Sequence, residues 1–534
     1  MSEQEQVRRD KRARLLADGV PPYPIAVPRT HSAAQVHERW GSLELGEETT
    51  DVVSVAGRVV FVRNTGKLCF ATLQDGFGLD DSGVRLQAML SLAEVGADAL
   101  ASWKADVDLG DFVSVTGRVV SSKRGELSVL ATSWTLAAKA LRPLPTLHNE
   151  LSEETRVRQR YADLVVRPEA RDMVRLRAAV TRSIRETLHA DGYLEIETPV
   201  LQLVHGGAAA RPFHTRLNAF DIPMTMRIAL ELYLKRAMVG GADRVYEIGR
   251  IFRNEGIDSS HSAEFTMLEA YQAWGDQFSI AELTQRLIVD AARVVDRMVV
   301  ETPAGVIDLG GEWAWKPVYP TLSAALGEEV TPATGLERLL AIADAHGLDA
   351  GKAKPTSEPK SMDAATLRSM TVEGCGNTSS CAKSQDPVFG ATDDTARAQK
   401  LVMELFEHIV EPTLIQPTFV CDYPPIAQPL ARPHRSDPDL IEAWDLIIGG
   451  VERATGFSEL IDPVIQRDRL TAQSLKAAAG DPEAMQLDED FLAALEFGAP
   501  PMGGMGMGLD RVVMLLTGAG IRETILFPLL KPQG

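Results

Sequence analysis

The chain has 534 residues, 45% of them apolar and 24% charged, a composition typical of a globular protein with roughly three to four domains. Its formal net charge of -19 argues against a generic nucleic-acid coat protein, because phosphate binding relies on clustered cations, although a local basic surface stays compatible with it. The four cysteines are too scattered for a disulfide framework, and no apolar run approaches the roughly 20 residues of a membrane span. The sequence therefore predicts a cytoplasmic protein without a membrane partner.

Residues 1–49 are predicted to form a basic, helical N-terminal extension. Its cations are Arg8, Arg9, Lys11, Arg12 and Arg14. Prolines 21, 22 and 24 would end the helix, because proline cannot continue one. Two interpretations stay open for this face: it is solvated, or it contacts an RNA backbone.

Residues 50–143 change to short alternating segments, which predict β-strands. The candidates are Val53–Val62, Cys69–Gln74, Val84–Leu90, Phe112–Val120 and Glu126–Leu136, with a helix near Leu92–Lys104. Five such strands suit a small Greek-key barrel of the oligonucleotide-binding (OB) type, which stacks single-stranded bases on aromatic side chains. Phe70 is the candidate stacking residue, with Arg63, Gln87 and Glu126 for base-edge contacts; the alternative places Phe70 in the core.

Residues 144–172 are interpreted as a linker that passes into a helix over Arg171–Asp191. Gly192–Pro199 then predicts a strand closed by a proline. After a Gly206-Gly207 turn and a short strand, a helix is expected over Leu230–Val239. Glu231 lies in its first turn, where the helix dipole favours a carboxylate in any case.

The stretch Arg244–Trp274 predicts two strands joined by a polar loop. In an extended strand, residues separated by an even number of positions point to the same face. Such sets are Glu247, Arg253 and Glu255 in the first strand segment, and Phe265, Glu269 and Tyr271 in the second. Such charges are almost never fully buried unless they are paired. The aromatics among them favour a binding platform over the alternative, a solvated sheet face.

The C-terminal third combines an unstructured stretch with a second charged segment. Residues 350–397 lack an apolar period and predict a flexible insertion. A helix is expected over Ala398–Val410. In GGVERATGFSEL, Thr455, Phe457 and Glu459 share parity, and Gly503–Arg511 predicts a glycine-rich turn before a helix, which suits a phosphate or nucleotide site.

Taken together, these segments resemble a class II lysyl-tRNA synthetase over nearly the whole chain. Class motif 1 resembles Gly192–Pro199, motif 2 resembles Phe252 to Tyr271, and motif 3 resembles Gly506–Arg511. The strings GGAAARPF, ELYLKR, FTMLE and LIQPTFV resemble the lysine-specific branch. The resemblance implies an α+β fold: an N-terminal five-stranded OB-fold barrel that binds the anticodon, followed at residues 173–534 by a class II catalytic domain built on an antiparallel sheet.

The resemblance also implies a role for each site residue. The ATP-binding residues would be Arg253, Glu255, His261, Phe265, Glu452 and Arg511, with Arg253 and Arg511 catalytic and Mg²⁺ held by Asp445 and Glu452. The lysine-binding residues would be Gly207, Glu231, Arg253, Glu269, Tyr271, Thr455, Phe457 and Glu459. The anticodon would be read by Arg63, Phe70, Gln87 and Glu126.

The implied activity is that of an ATP-dependent lysine–tRNA ligase. Such an enzyme forms lysyl-adenylate from L-lysine with release of pyrophosphate, and then transfers lysyl to the 3′-terminal adenosine of tRNA(Lys). The family implies a homodimer and no DNA partner. Two alternatives stay open: a paralogue that activates lysine or an analogue for a different acceptor, and a non-catalytic RNA-binding relative.

The sequence departs from the family pattern at three neighbouring positions. Thr455 stands where asparagine is usual, Asp445 replaces a usual glutamate, and Arg453 follows Glu452 where a small apolar residue is common. The stretch from Gly351 to Thr395 has no counterpart in the family. These departures predict an altered substrate site rather than loss of activity.

Overall fold

A computed structural model of the protein describes residues 2–78, 83–145, 151–258, 261–348, 393–481 and 483–532. The chain divides into two compact units, residues 1–175 and 176–534. None of the helices in the described ranges combines the length and the apolar surface that a membrane crossing requires. Of the insertion predicted over 350–397, residues 350–392 lie outside the described ranges.

The first unit contains a closed barrel of five strands, as predicted. The strands are β1 (Glu48–Asn64), β2 (Leu68–Gln74), β3 (Arg85–Ser91), β4 (Phe112–Ser121) and β5 (Leu127–Ala138), which neighbour one another in the order β1-β2-β3-β5-β4. Alternate apolar residues fill its interior, among them Val55, Leu73 and Val115. The connection from β3 to β4 holds α3 (Leu92–Val95) and α4 (Ala97–Asp106), so the single predicted helix is broken at Gly96, where φ is +82°.

Two helices precede the barrel, α1 (Glu3–Ala17) and α2 (Ala33–Trp40). Helix α1 ends before the prolines, and three of its cations are used within the unit. Arg8 is buried and donates to the Leu109 carbonyl (2.9 Å) and the Ala140 carbonyl (3.0 Å), Lys11 pairs with Asp108 at 2.8 Å, and Arg14 pairs with Asp106. The choice between a solvated face and an RNA contact therefore concerns mainly Arg9 and Arg12, the two remaining cations.

The predicted linker is largely helical where it is described. It contains α5 (Glu153–Arg158) and α6 (Arg160–Val166), and α7 (Pro168–Ala190) begins before its expected end. Burial of Ala162 and of the Arg160–Asp163 ion pair (2.9 Å) fixes α6 within the first unit.

The second unit is built on an eight-stranded sheet. Its strands, in spatial order, are β14 (Ala314–Pro317), β15 (Thr418–Tyr423), β16 (Ile441–Ile447), β17 (Glu452–Ser458), β18 (Met502–Gly508), β11 (Glu264–Ala273), β10 (Arg244–Phe252) and β6 (Leu194–Glu195). All neighbours are antiparallel except β14 with β15 and β6 with β10. The predicted antiparallel sheet is thus confirmed, with a parallel pair at each edge.

Smaller sheets and helices surround this sheet. The small sheets comprise β7 (Leu201–Gln202), β9 (Ile222–Met226) and β8 (His214–Leu217), and β12 (Val299–Thr302) with β13 (Gly305–Asp308). The helices are α8 (Glu231–Val239), α9 (Gln277–Val294), α10 (Val318–Leu326), α11 (Leu336–Ala345), α12 (Asp393–Ile409), α13 (Pro463–Ala478), α14 (Glu489–Glu496), α15 (Leu509–Thr517) and α16 (Ile521–Thr524), with a 3-10 turn at Glu411–Thr413.

Three sequence expectations for this unit were wrong. The strand expected over Gly192–Pro199 is reduced to the two residues of β6. Residues 393–397, expected in the insertion, begin α12. The glycine-rich segment expected to be a turn is the central strand β18, because β17 and β11 supply backbone partners on both of its sides. In that position Met505 and Met507 are buried on one face, while Gly504 and Gly506 lie on the other.

Candidate active site

Residues from five strands lie in register on one face of the large sheet, and four of these strands contribute polar side chains. Directly paired residues project to the same face, so the pairings define rows that run across the strands. One row reads Asp445, Thr455, Gly506, Glu269 and Glu247, and the adjacent row reads Phe457, Gly504, Tyr271 and Val245. The sheet thereby brings the predicted carboxylates and aromatics of two distant sequence segments together.

The middle of these rows is a trough whose floor is the backbone of β18. A Cβ atom on Gly504 would collide with the Glu459 carboxylate and lie 2.5 Å from Tyr271 Cε1. A Cβ on Gly506 would lie 3.7 Å from Glu269 Cγ and 3.8 Å from Thr455 Cγ2. Glycine is therefore required at 504 for the neighbouring side chains to keep their places.

Three buried carboxylates meet at one end of the trough. Glu231 is the first residue of α8, Glu269 lies on β11 and Glu459 follows β17; they are 6%, 4% and 2% exposed. Glu269 accepts hydrogen bonds from the Leu230 amide (2.9 Å) and the Tyr271 hydroxyl (3.1 Å). Gly207, at φ +84°, approaches from the other side, where a Cβ would lie 3.1 Å from Glu231 Cβ.

Lys235, which the sequence analysis missed, occupies the space between two of these carboxylates. Its Nζ donates to Glu231 Oε1 at 2.5 Å, pairs with Glu459, and lies 5.4 Å from the centre of the Phe457 ring. The helical spacing of four residues from Glu231 to Lys235 was a signal that could have found it.

The electrostatics of the cluster follow from burial. Burial, reinforced by the charge of Glu231, raises the pKa of Glu269 to about 7. Burial also raises the pKa of Glu459, although the Lys235 ammonium opposes this shift. Burial alone would lower the pKa of Lys235, but Glu231 and Glu459 together outweigh it and raise that pKa, so Lys235 is a cation.

Glu247 is on the pocket face, yet its carboxylate is already engaged. It accepts hydrogen bonds from Arg227 Nη1 (2.6 Å) and from the Thr198 hydroxyl (2.6 Å) and amide (3.0 Å). Glu247 therefore ties the hairpin to the segment after β6.

The predicted ATP-binding residues fall into two contacting pairs and two exposed positions. Arg253 follows β10 directly, with its guanidinium carbon 5.3 Å from the centre of the Phe265 ring. Arg511, in the first turn of α15, donates to the Glu452 carbonyl at 3.0 Å and lies 3.5 Å from Glu452 Oε2. The pKa of Arg253 is lowered by burial, and Glu452 and Arg511 are both close enough to affect it, which places the two pairs at one site.

Glu255 and His261 are both exposed, and in the sequence they lie between the two hairpin strands. Strand β10 ends before Glu255, so the parity argument does not reach it, and its carboxylate accepts from the Arg211 amide at 3.1 Å. The His261 ring lies 2.9 Å from Asp258 Oδ2.

Asp445 and Glu452 form the predicted metal pair. Burial, followed by the charge of Glu452, raises the pKa of Asp445 to about 7, whereas hydrogen bonds to Thr455 and Tyr423 oppose the shift. Glu411, which the sequence analysis missed, has its pKa raised to about 7 by burial and then by nearby carboxylates that include Glu452. Within the described ranges, no group of three or more His, Cys, Asp or Glu side chains is arranged to hold a metal ion.

The two-carboxylate arrangement nevertheless suits magnesium. Carboxylate oxygens are the hard ligands that Mg²⁺ prefers, and Mg²⁺ is usually bound through one or two carboxylates plus waters and substrate phosphates. The negative charge of Glu452 contributes to the raised pKa of Asp445, and a divalent cation bound between the two carboxylates would offset this repulsion.

Arg453, one of the departures from the family pattern, lies away from the pocket rows. It is buried and donates to the Ile448 carbonyl (3.2 Å) and the Arg511 carbonyl (3.0 Å). Burial, and then the charge of Arg511, lowers the pKa of Arg453 to about 10. It therefore links the β16–β17 turn to the first turn of α15.

The four predicted anticodon residues lie on or beside one surface of the barrel. Arg63 pairs with Phe70 across β1 and β2, with its guanidinium carbon 5.0 Å from the ring centre. Gln87 on β3 accepts from Ser128 Oγ at 3.1 Å, and Glu126 is exposed just before β5.

Phe61 is a further aromatic on this surface that the sequence analysis missed. It is 53% exposed and pairs with Thr72, which in turn pairs with Gln87. Its alternation with Arg63 along β1 was the available signal.

Two family models match the chain. Residues 53–137 match an OB-fold nucleic acid binding domain, and residues 152–531 match the tRNA synthetases class II (D, K and N). A lysine–tRNA ligase of Kineococcus radiotolerans is 54% identical over 533 residues, 99% of this chain and 97% of that protein. Lysine–tRNA ligase 1 of Mycobacterium tuberculosis H37Rv is 53% identical over 535 residues, 100% of this chain and 98% of that protein.

A third relative carries a name that refers to a different function. The lysylphosphatidylglycerol biosynthesis bifunctional protein LysX of Mycobacterium ulcerans is 44% identical over 540 residues, which cover 100% of this chain but only 44% of that protein. The chain is thus more similar to the two ligases, which it also matches in length.

Proposed function

The chain belongs to the class II tRNA synthetases (D, K and N), and within that family we propose that it is an ATP-dependent lysine–tRNA ligase. The reaction has two steps: L-lysine and ATP give lysyl-adenylate and pyrophosphate, and lysyl then passes to the 3′-terminal adenosine of tRNA(Lys). The observation that carries the proposal is the cluster of three buried carboxylates beside the Arg253–Phe265 pair, in a chain matched over its full length by lysine–tRNA ligases.

Lysine recognition would rest on charge. An ammonium removed from water must be paired, since an unpaired buried charge costs several kcal/mol. Glu231, Tyr271 and Glu459 would surround the ε-ammonium, and Glu269, with Gly207, would receive the α-ammonium. Thr455 and Phe457 would line the trough between them, which the backbone of β18 leaves open.

Activation would rest on alignment and neutralisation of charge. An oxygen of the lysine carboxylate attacks the α-phosphorus of ATP, and the bond to the bridging oxygen breaks to release pyrophosphate. Arg253 would hold both the carboxylate and the α-phosphate, since a guanidinium fork suits bidentate contact. Phe265 and Arg511 would enclose the adenine, Glu255 would accept from its amino group, and His261 would contact the terminal phosphates.

Asp445 and Glu452 would hold Mg²⁺. Bound there, the ion would neutralise phosphate charge in the transition state. Asp445 is one methylene shorter than the usual glutamate, so it reaches less far from β16. Arg511 beside Glu452 would keep that carboxylate at the phosphate end of the site.

The first unit would recognise the tRNA. Phe70 would stack on an anticodon base, with Arg63, Gln87 and Glu126 at base edges, because OB folds bind single strands by stacking. We propose further that the chain acts in the cytoplasm as a homodimer, and that its parts are an extension (1–49), an anticodon domain (50–143), a linker (144–172) and a catalytic domain (173–534).

The proposal is tested by ATP–pyrophosphate exchange across a panel of amino acids, followed by transfer to tRNA(Lys). We expect exchange with lysine and formation of lysyl-tRNA. Exchange without tRNA charging would favour a paralogue with another acceptor, and exchange with no amino acid would favour a non-catalytic RNA-binding protein. Exchange with an amino acid other than lysine would instead implicate Thr455.

Replacing Gly504 by Ala is expected to raise the KM for lysine by on the order of tenfold, because the new methyl group must displace Glu459 and Tyr271. The KM for ATP should change little. Met507→Leu is the matched control, since it is a volume-conserving change on the buried opposite face of the same strand. A Gly504→Ala variant with unchanged lysine kinetics would contradict the placement of the substrate in the trough.

The pH dependence of lysine binding should report on Glu269. Its pKa of about 7 means that the carboxyl is neutral below that pH and loses its attraction for the α-ammonium. We expect kcat/KM for lysine to be constant above about pH 7 and to fall about tenfold per pH unit below it. The measurement uses saturating Mg-ATP, so that Asp445 is already engaged. Glu269→Gln should lack this inflection, and an unchanged inflection in that variant would assign it to another group.

A further inference from the structure

Lys235 has a place in the amino-acid pocket that the proposed reaction does not explain. It is 1% exposed, and its ammonium joins Glu231, at the start of α8, to Glu459, after β17. These two carboxylates are also the ones proposed to receive the substrate's ε-ammonium. The ammonium of Lys235 is therefore paired with the same two carboxylates that are proposed to bind the ammonium of the substrate.

The two oxygens of Glu459 have different surroundings. Oε2 lies at ion-pair distance from Lys235 Nζ, whereas Oε1 is buried and, among the residues that the structure describes, has neither an ion-pair nor a hydrogen-bond partner. Oε1 is the atom that a Cβ at Gly504 would strike, so it faces the floor of the trough. One side of the carboxylate is thus fixed by Lys235, and the other is available to a ligand.

The charges of the pocket indicate why such a cation is needed. When bound lysine keeps Glu231, Glu269 and Glu459 ionised, three negative charges face two fixed cations, Lys235 and Arg253. One net negative charge remains, which matches the one net positive charge of lysine at neutral pH. Without Lys235 the pocket would carry two net negative charges, and buried charges of one sign disfavour each other's ionisation.

We propose that Lys235 is a positioning residue that sets the charge and geometry of the amino-acid pocket, so that the pocket accepts a side chain with a single ammonium group. This inference rests on the proposed lysine-activating function. Lys235 holds Glu231 and Glu459 at a fixed separation and leaves Glu459 Oε1 turned toward the substrate. It makes no bond to the reacting atoms, so its effect falls on lysine binding more than on the chemical step.

The test uses Lys235→Ala with n-propylammonium, the fragment that the substitution removes. We expect the KM for lysine in ATP–pyrophosphate exchange to rise on the order of 100-fold, with the KM for ATP nearly unchanged. Added n-propylammonium should restore most of the lost lysine affinity, whereas propan-1-ol, which has the same shape but no charge, should not.

Three further variants keep the test decisive. Lys235→Met is uncharged and similar in length. It should lose lysine affinity, and n-propylammonium should not restore that affinity, because the methionine side chain fills the space that the amine would occupy. Lys235→Arg should retain part of the lysine affinity. Lys139→Met is the matched control: it removes a buried ammonium between Asp108 (2.6 Å) and Asp111 (2.7 Å) in the first unit, and should lower Tm without changing the KM for lysine.

Several results would overturn the inference while leaving the function intact. These are an unchanged KM for lysine in both Lys235→Ala and Lys235→Met, an equal rise in the KM for ATP, or equal rescue by propan-1-ol. Failure of the unsubstituted protein to exchange with lysine would instead remove the proposed function itself.

Discussion

Replacing Glu231 by Gln should reduce kcat/KM for lysine by on the order of 100- to 1000-fold, while the KM for ATP stays within about twofold. Glu231 is buried and bonded to Lys235, so loss of its charge leaves the Lys235 and substrate ammonium groups to share Glu459. Removal of one partner from a buried ion pair typically costs about 3–5 kcal/mol. In the part of the chain that the structure describes, the ion pair of Glu231 is with Lys235 and not with a proposed nucleotide-binding residue, so ATP binding should persist.

This prediction is measured by ATP–pyrophosphate exchange with lysine and ATP varied in turn. Glu489→Gln is the matched control, because Glu489 is also the first residue of a helix and is ion-paired, with Arg467 at 2.9 Å, but is exposed. Its kinetics should equal those of the unsubstituted protein. Lysine affinity that survives in Glu231→Gln would show that the ε-ammonium binds elsewhere.

Replacing Arg253 by Gln should lower kcat for exchange by on the order of 100- to 1000-fold. Glutamine can donate a hydrogen bond, but it supplies neither the positive charge nor the two-pronged contact that would join carboxylate to α-phosphate. Unlike Glu231→Gln, this change should affect both substrates, because Arg253 is proposed to touch each of them.

Single-turnover formation of lysyl-adenylate separates this effect from product release. Arg250→Gln is the control: Arg250 lies on β10, the strand that Arg253 follows, with its side chain exposed, 3.6 Å from Glu264, on the opposite face from the pocket. It should retain normal activity. A loss of less than tenfold in Arg253→Gln would place the α-phosphate beside another cation.

Strand parity predicted much of the site from sequence alone. Thr455 and Phe457 share a face of β17, as do Phe265, Glu269 and Tyr271 on β11, because a period of two is imposed by strand geometry whatever the fold. Glu459, just beyond the end of β17, reaches the same trough at Gly504. The five barrel strands were predicted on the same basis. The role of each residue still came from family resemblance, since parity indicates a face and not a ligand.

The failures have physical causes. Strand β18 was taken for a turn because four of its seven residues are glycine, which has low strand propensity; only its neighbours make it a strand. Lys235 was overlooked because a lysine on a helix is usually solvated, and its burial depends on Glu459, more than 200 residues further along the chain. Such pairings become visible only once the sheet brings them together.

The position of β18 has a consequence for how this unit is assembled during synthesis. In the eight-stranded sheet, β6, β10 and β11 lie on one side of β18 and β14 to β17 on the other, and β18 is the last of the eight to emerge. Until then the two halves have open edges at β11 and β17, which other chains can pair with. Each glycine makes β18 poorer at ordering itself, by roughly 0.5–1 kcal/mol relative to alanine, so the strand depends on both edges to form. Closure of the sheet therefore waits for β18, and a chain truncated before β18 would keep both edges open and be prone to aggregate.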